Sequence, residues 1–598
     1  MNVGIFQEDI SEKIWDTKYR YRLRGNIEDQ TVEDTWRRVA AAVAGAEQLK
    51  NRAQWTEAFS QLLADFKFLP GGRILAGAGT AHTVTLFNCF VMPLAEDSLP
   101  GIFDALREAA ITLQQGGGVG YDFSSLRPRG SLAQHVGARA SGPVSFMRIW
   151  DAMCATIESS GARRGAMMGV LRCDHPDIEE FIAIKSSPTE LRHFNLSVLV
   201  PDSFMQAVKE NREWDLLFPA GEEGLSDTVL RHWGASAEPV ACRVVSRIPA
   251  RSLWEKIIRS AYDFAEPGVL FEDTINRQNN LWYREWISAT NPCGEIPLPI
   301  YGACNLGSLN LPQFVRAPFA AGASLDWAAI EQAVAVATRF LDNVVDISRF
   351  PLSMQRQEAL ATRRIGLGVT GLADMLVMLG MRYGSEESYA AVSELMKRIA
   401  SATWQASVEL SRERGVFPAF HGKKYVLGHF VSQLPPEILQ MIEKHGIRNS
   451  HHNAIAPTGT ISLLANNVSS GIEPVFRGQF ERKVHDGAGE ITHYSVTDYA
   501  LRLWRQGGHK EPFPPAWVDS ETLQPEQHLK MQAMIQPWMD NAISKTINLP
   551  KAFPFEKLAG VYTEAHQLGL KGCTIFRPNE VTGSVLSEGV TGLCGECV

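Results

Sequence analysis

Residues 291–311 read NPCGEIPLPIYGACNLGSLNL. Prolines at 292, 297 and 299 rule out a helix and a central strand, because proline lacks the N–H and fixes φ. The segment is therefore expected to be a rigid extended loop. In an extended chain Asn291, Cys293 and Glu295 alternate, so their side chains can point to one side. An amide can orient a hydroxyl, a carboxylate can take its proton, and a thiol can give up a hydrogen atom. Cys304 follows eleven residues after Cys293. Taken alone, a proline-rich loop with one Cys and one Glu is usually a plain connection. The Cys spacing does not suit zinc, which favours two to four intervening residues.

Outward from this loop, short apolar runs alternate with long helical patterns. Helices are expected over 252–264, 326–347 and 385–413, and strands over 195–200 and 268–271. That alternation predicts an α/β fold with parallel strands. Residues 1–85 read as a mainly helical region, in which Thr31-Val-Glu-Asp34 starts a helix running to about Leu49. Residues 70–79, PGGRILAGAG, read as a glycine-rich turn. The α/β middle spans 86–575. From 576 to 598 the chain reads as a mobile tail ending in Cys594-Gly-Glu-Cys597. No internal repeat is visible.

The chain has 598 residues, 45% hydrophobic and 21% charged, with a net charge of −8. This is the balance of a soluble protein with a large core, and it does not suggest nucleic-acid binding. No apolar run is long enough for a membrane span. The first residues do not resemble a secretory signal. Nine cysteines, an odd number, suggest reactive thiols in a cytoplasmic protein rather than a disulfide framework. Cys89, among Leu86, Phe87, Phe90 and Val91, would alone read as a buried apolar residue. The terminal CxxC could be a reversible disulfide or half a zinc site, with Cys573 and His566 the nearest further ligands. Residues 453–456 read as a short strand, and Pro457-Thr-Gly-Thr460 as a turn. A helix begins at Ile461, whose N-terminus suits phosphate. Gly116–Gly120 permits close backbone approach but lacks the dinucleotide fingerprint.

Several long motifs occur in order: LPGGRILAGAG (69–79), FNCFVMPL (87–94), QQGGGVGYDFSSLRP (114–128), GARRGAMMG (161–169), the 291–311 stretch, APTGTISLL (456–464), SKTINLP (544–550) and GLKGCTIFRP (569–578). Together they resemble ribonucleotide reductases, most closely the adenosylcobalamin-dependent class II branch. The resemblance implies a ten-stranded α/β barrel of two five-stranded halves, with a finger loop at about 289–299 in its centre. It implies that Cys293 becomes a thiyl radical, that Glu295 is the general base and that Asn291 positions the sugar. Cys89 and Cys304 would be the reducing pair, recharged by Cys594 and Cys597 from a thioredoxin-like donor. Deoxygenation is a two-electron reduction, and two thiols becoming a disulfide supply those electrons. Substrate phosphates would meet Pro457, Thr458, Gly459, Thr460 and Ile461, with help near Gly72, Asn88 and Gly118. Arg163, Arg164 and Gly165 match the loop that reads a deoxynucleotide effector at a homodimer interface.

Thr574-Ile-Phe-Arg577 stands where a partner-dependent reductase has its tyrosine pair, and phenylalanine has no hydroxyl proton to lose. No glycyl-radical motif occurs near the C-terminus. The resemblance therefore implies adenosylcobalamin, although no Asp-x-His-x-x-Gly motif is present; no metal ligand from protein side chains is expected. No ATP-cone is visible before the helical region. Ribonucleoside diphosphates are the expected substrates. The competing readings are a large subunit served by a metal-containing partner, a silent nucleotide-binding regulator, and a zinc-containing redox protein.

Overall fold

A computed structural model describes residues 4–94, 96–133, 137–157, 165–187, 189–220, 228–485 and 491–578. Nine short strands carry the architecture: β1 (Cys89–Val91), β2 (Gly118–Asp122), β3 (Met167–Arg172), β4 (Phe194–Val200), β5 (Gly268–Phe271), β6 (Ala303–Asn310), β7 (Ile365–Thr370), β8 (Thr546–Asn548) and β9 (Gly572–Phe576). β1 to β5 lie side by side and parallel. β6 pairs parallel with β7, and β8 with β9. The two groups meet antiparallel at β1/β6 and at β5/β9.

The ring closes without a regular strand. Segment 453–455 bridges in parallel to Leu367 of β7 on one side and to Ile543, just ahead of β8, on the other. Four backbone hydrogen bonds sew this closure, among them Ala454 N–H to Leu367 O at 3.2 Å and Ser544 N–H to Ile455 O at 2.9 Å. The segment takes the tenth place, so the two halves hold five each, as expected. Strand Phe68–Pro70 adds antiparallel to β6 outside the ring.

The strands of the first half are nearly continuous apolar or small residues because both faces are covered. Helices Leu99–Gln114, Pro143–Thr156 and Trp327–Ile347 cross over between successive parallel strands. Their starts are local: Ser98 accepts from Gly101 N–H, and Asp326 from Ala329 N–H, each at 3.2 Å. The expected helices at 252–264, 326–347 and 385–413 appear as Ala250–Phe264, Trp327–Ile347 and Glu386–Arg414.

Three local expectations change. The helix that starts at Thr31 has its capping box but stops at Ala44, and a separate 3-10 turn holds an exposed Leu49. Residues 72–77 form a short helix rather than a turn, since Ile74 and Leu75 are fully buried there and repay its order. Between β4 and β5 the chain adds a three-stranded antiparallel sheet, Glu213–Pro219, Thr228–Arg231 and Val240–Pro249. The N-terminal helices dock onto the barrel through the buried pair Glu47–Arg339 at 2.7 Å. Among the described residues no helix is long and apolar enough to cross a membrane.

Candidate active site

The loop at 289–299 enters the ring as a two-strand hairpin. Ala289–Thr290 pairs antiparallel with Pro297–Leu298. Ile287, Ala289, Ile296 and Leu298 share one buried cluster with Met168, Leu199, Leu270 and Leu306 of the strands. The tip is a tight turn, not an extended chain. Gly294 (φ 80°) donates its N–H to Asn291 O at 3.1 Å, and the Asn291 side-chain oxygen accepts from Ile296 N–H at 3.0 Å. Strict alternation is therefore not what gathers the three side chains; the reversal of the chain is.

The barrel holds the hairpin from several sides. Asn195 Nδ2 donates to Pro292 O at 2.9 Å, Ala542 N–H to Glu295 O at 2.9 Å and Arg364 Nη1 to Pro297 O at 3.3 Å. Arg364 also pairs with buried Glu285. Gly120 lies flush against the hairpin: a Cβ there would sit 1.8 Å from the Thr290 carbonyl oxygen. Only glycine allows that depth of insertion.

At the tip the functional groups converge. Asn291 Nδ2 donates to Cys89 Sγ at 3.2 Å, and the Cys89 thiol reaches Glu295 Oε1 at 3.9 Å. Cys304 stands directly opposite Cys89 across the β1/β6 pair. Its thiol donates to Asn305 O at 3.3 Å. Burial pushes the Cys89 thiol far above its usual range, and the Glu295 carboxylate adds to this; burial likewise raises Cys304. Both therefore stay protonated and keep their hydrogens. Cys293 is half-buried, whereas the other described cysteines are buried.

A cleft opens over this cluster, lined by Asn88, Cys89, Asn291, Cys293 and Glu295. Gly118 and Gly165 form part of its wall. Asn88 Oδ1 is buried without a hydrogen-bond partner, so an acceptor is left for a bound molecule. Cys304 sits behind Cys89 and does not line the cleft.

Other expected residues lie elsewhere. Gly72 opens the short helix but is not in the cleft wall. Pro457, Thr458, Gly459, Thr460 and Ile461 form the start of helix Gly459–Leu464, also outside that wall. The Thr458 hydroxyl is already engaged: it accepts from Gly471 N–H at 2.8 Å and meets Thr370 Oγ1 at 2.9 Å. Arg163, Arg164, Cys594 and Cys597 lie outside the described residues. For zinc, Cys573 is buried and His566 bonds Asp202 at 2.8 Å; no group of three metal-ligating residues occurs among the described residues. The one charged residue of the cleft wall that escaped the sequence reading is a cation. Arg73, in the PGGR run, lines the cleft. Its only sequence signal was a cation beside a glycine pair.

The chain is similar to known proteins over most of its length. The family model for the ribonucleotide reductase barrel domain matches residues 87–576, and that for the ribonucleotide reductase all-alpha domain matches 5–83. A vitamin B12-dependent ribonucleoside-diphosphate reductase of Mycobacterium tuberculosis is 38% identical over 572 residues, covering 92% of this chain and 76% of that protein. One of Thermoplasma acidophilum is 36% identical, covering 89% and 66%. A ribonucleoside-diphosphate reductase subunit alpha of Chlamydia trachomatis is 25% identical, covering 92% and 57%.

Proposed function

The chain belongs to the ribonucleotide reductase family, and from that premise we propose that it reduces ribonucleoside diphosphates to 2′-deoxyribonucleotides with adenosylcobalamin as radical source. The observation that carries this is the meeting of thiol, amide and carboxyl at the finger tip, with a second thiol directly behind.

The residues present suit the cofactor. Cys293 is the one described cysteine that is not buried, and uncharged Pro292 and Ala166 share its cleft. They would hold the adenosyl group. When bound, adenosylcobalamin supplies an organic radical by homolysis of its cobalt–carbon bond.

The chain's own groups then divide the work. The Cys293 sulfur, having lost its hydrogen atom, takes the 3′-hydrogen of the ribose. Glu295 accepts the 3′-hydroxyl proton. Asn291 and Asn88 orient the sugar. Cys89, in the cleft and protonated, gives the proton with which the 2′-hydroxyl leaves as water. Cys89 and Cys304 then become one disulfide: one of their two electrons, with the second thiol proton, forms the new C2′–H bond, and the other, with the proton that Glu295 returns to the 3′-oxygen, turns the 3′-ketone back into the C3′ radical. Cys293 returns hydrogen to C3′ and is ready again. The start of helix Gly459–Leu464 faces the phosphates through backbone N–H groups, because the Thr458 hydroxyl is engaged within the protein. Cys594 and Cys597 reduce the disulfide by exchange and are recharged by a thioredoxin-like protein. Arg163, Arg164 and Gly165 read a deoxynucleotide effector between two copies of the chain in the cytoplasm.

The test is turnover of CDP with adenosylcobalamin and dithiothreitol, without a second subunit, for wild type and Cys293→Ala. Activity is expected in the first only. Equal rates would end the thiyl role, and activity that requires an added metal-containing subunit would favour the partner-dependent reading.

A further inference from the structure

The cleft wall holds a cation to which the chemistry above gives no role. Of the described residues in its wall, two carry charge: Glu295 at the finger tip, and Arg73 on the short helix Gly72–Gly77. Arg73 is 9% exposed. Its guanidinium is pressed against the backbone of Gly116, where a Cβ would lie 2.6 Å from the Arg73 Cζ and Nη1. The cation thus lies against the glycine wall of the cleft rather than reaching outward on a free stem. The buried oxygen of Asn88 is in the same wall.

We infer that Arg73 binds the substrate's phosphate anion and so sets the direction in which a nucleotide lies in the cleft. The inference rests on the reading above, in which a ribonucleoside diphosphate occupies this space. Glu295 and Arg73 give the cleft a negative and a positive group. A ligand with a neutral, hydroxyl-bearing sugar and an anionic tail is oriented by that polarity: hydroxyls toward the carboxylate and amides, phosphate toward the guanidinium. The guanidinium presents a planar fork of donors that matches phosphate oxygens. Backbone N–H groups alone carry only partial charge, whereas a diphosphate carries full charges into a partly water-excluded space. Arg73 supplies the full opposite charge.

The test is equilibrium binding, with no cofactor and no turnover, of CDP and of cytidine to wild type, Arg73→Gln and Arg73→Lys. Wild type should bind CDP far more tightly than cytidine. Arg73→Gln should weaken CDP binding at least tenfold and cytidine binding less than twofold, and Arg73→Lys should keep part of the difference. Steady-state assays should then show a raised KM for CDP. Matching thermal midpoints establish that the variants fold. If Arg73→Gln binds CDP as wild type does, or loses CDP and cytidine alike, the inference falls while the reductase reading stands. If wild type binds neither compound, the reductase reading itself falls.

Discussion

Replacing Gly120 by alanine should separate the depth of the finger hairpin from its composition. The new Cβ would lie 1.8 Å from the Thr290 carbonyl oxygen. Carbon–oxygen contacts settle at about 3.3 Å, so the hairpin must withdraw by about 1.5 Å or β2 must bow outward. Overpacking of this kind costs about 1–3 kcal/mol of stability, which a fold of this size survives. Catalysis is more sensitive, because a misplacement of about 1 Å can cost roughly a hundredfold. The expected loss in kcat is therefore at least about 100-fold, or about 2.7 kcal/mol of barrier. The assay is the initial rate of CDP reduction at saturating CDP and adenosylcobalamin, with circular dichroism melting beside it. A folded Gly120→Ala enzyme that retains more than a third of wild-type kcat would refute the idea that insertion depth places Cys293 and Glu295.

Brief alkylation of the native protein, mapped by mass spectrometry, should label Cys293 first among the described cysteines, since the rest are buried; early labelling of Cys304 would contradict the site. Glu285→Gln should lower unfolding free energy by about 3–5 kcal/mol, because it leaves the Arg364 charge buried without its partner. Urea titration measures this, and a change below about 1 kcal/mol would mean the pair is not the anchor described. The fold raises the affinity of Cys89 and Cys304 for their protons. Their contribution to stability is thus complete below the unfolded thiol value of about 8.5 and declines as pH rises beyond it. The urea midpoint should fall from pH 8.5 to 10, and less steeply in a Cys89→Ser/Cys304→Ser variant; identical slopes would count against burial as the cause. Asn291→Ala removes both the bond to Cys89 and the acceptor for Ile296 N–H, so kcat should drop by about 100-fold or more, and an unchanged rate would remove Asn291 from the site.

Much of the site could be read from the chain because it is nearly continuous there: Asn291, Cys293 and Glu295 are close neighbours, and Cys304 follows on the next strand. The long helices were legible from their periodicity. What escaped depends on contacts between distant segments. Segment 453–455 closes the ring through isolated bridges, and nothing in its local pattern names Leu367 and Ile543 as partners. Asn195, Arg364 and Glu285 hold the hairpin from three other parts of the chain. Arg73 reaches the cleft from a helix that glycine content had disguised as a turn. The tight tip was missed because proline spacing argues for extension, whereas Gly294 and the Asn291 side chain reverse the chain.

The facing cysteines at 89 and 304 also have a mechanical meaning. They sit on one of the two borders where the half-barrels run in opposite directions. On the proposed chemistry, each turnover laces the halves together with a covalent stitch and each recharging step unlaces them. A stitch spanning so long a stretch of chain is worth roughly 5 kcal/mol against unfolding. The resting, oxidised enzyme would then be the sturdier form, and the reduced one, primed for a new substrate, the more pliant.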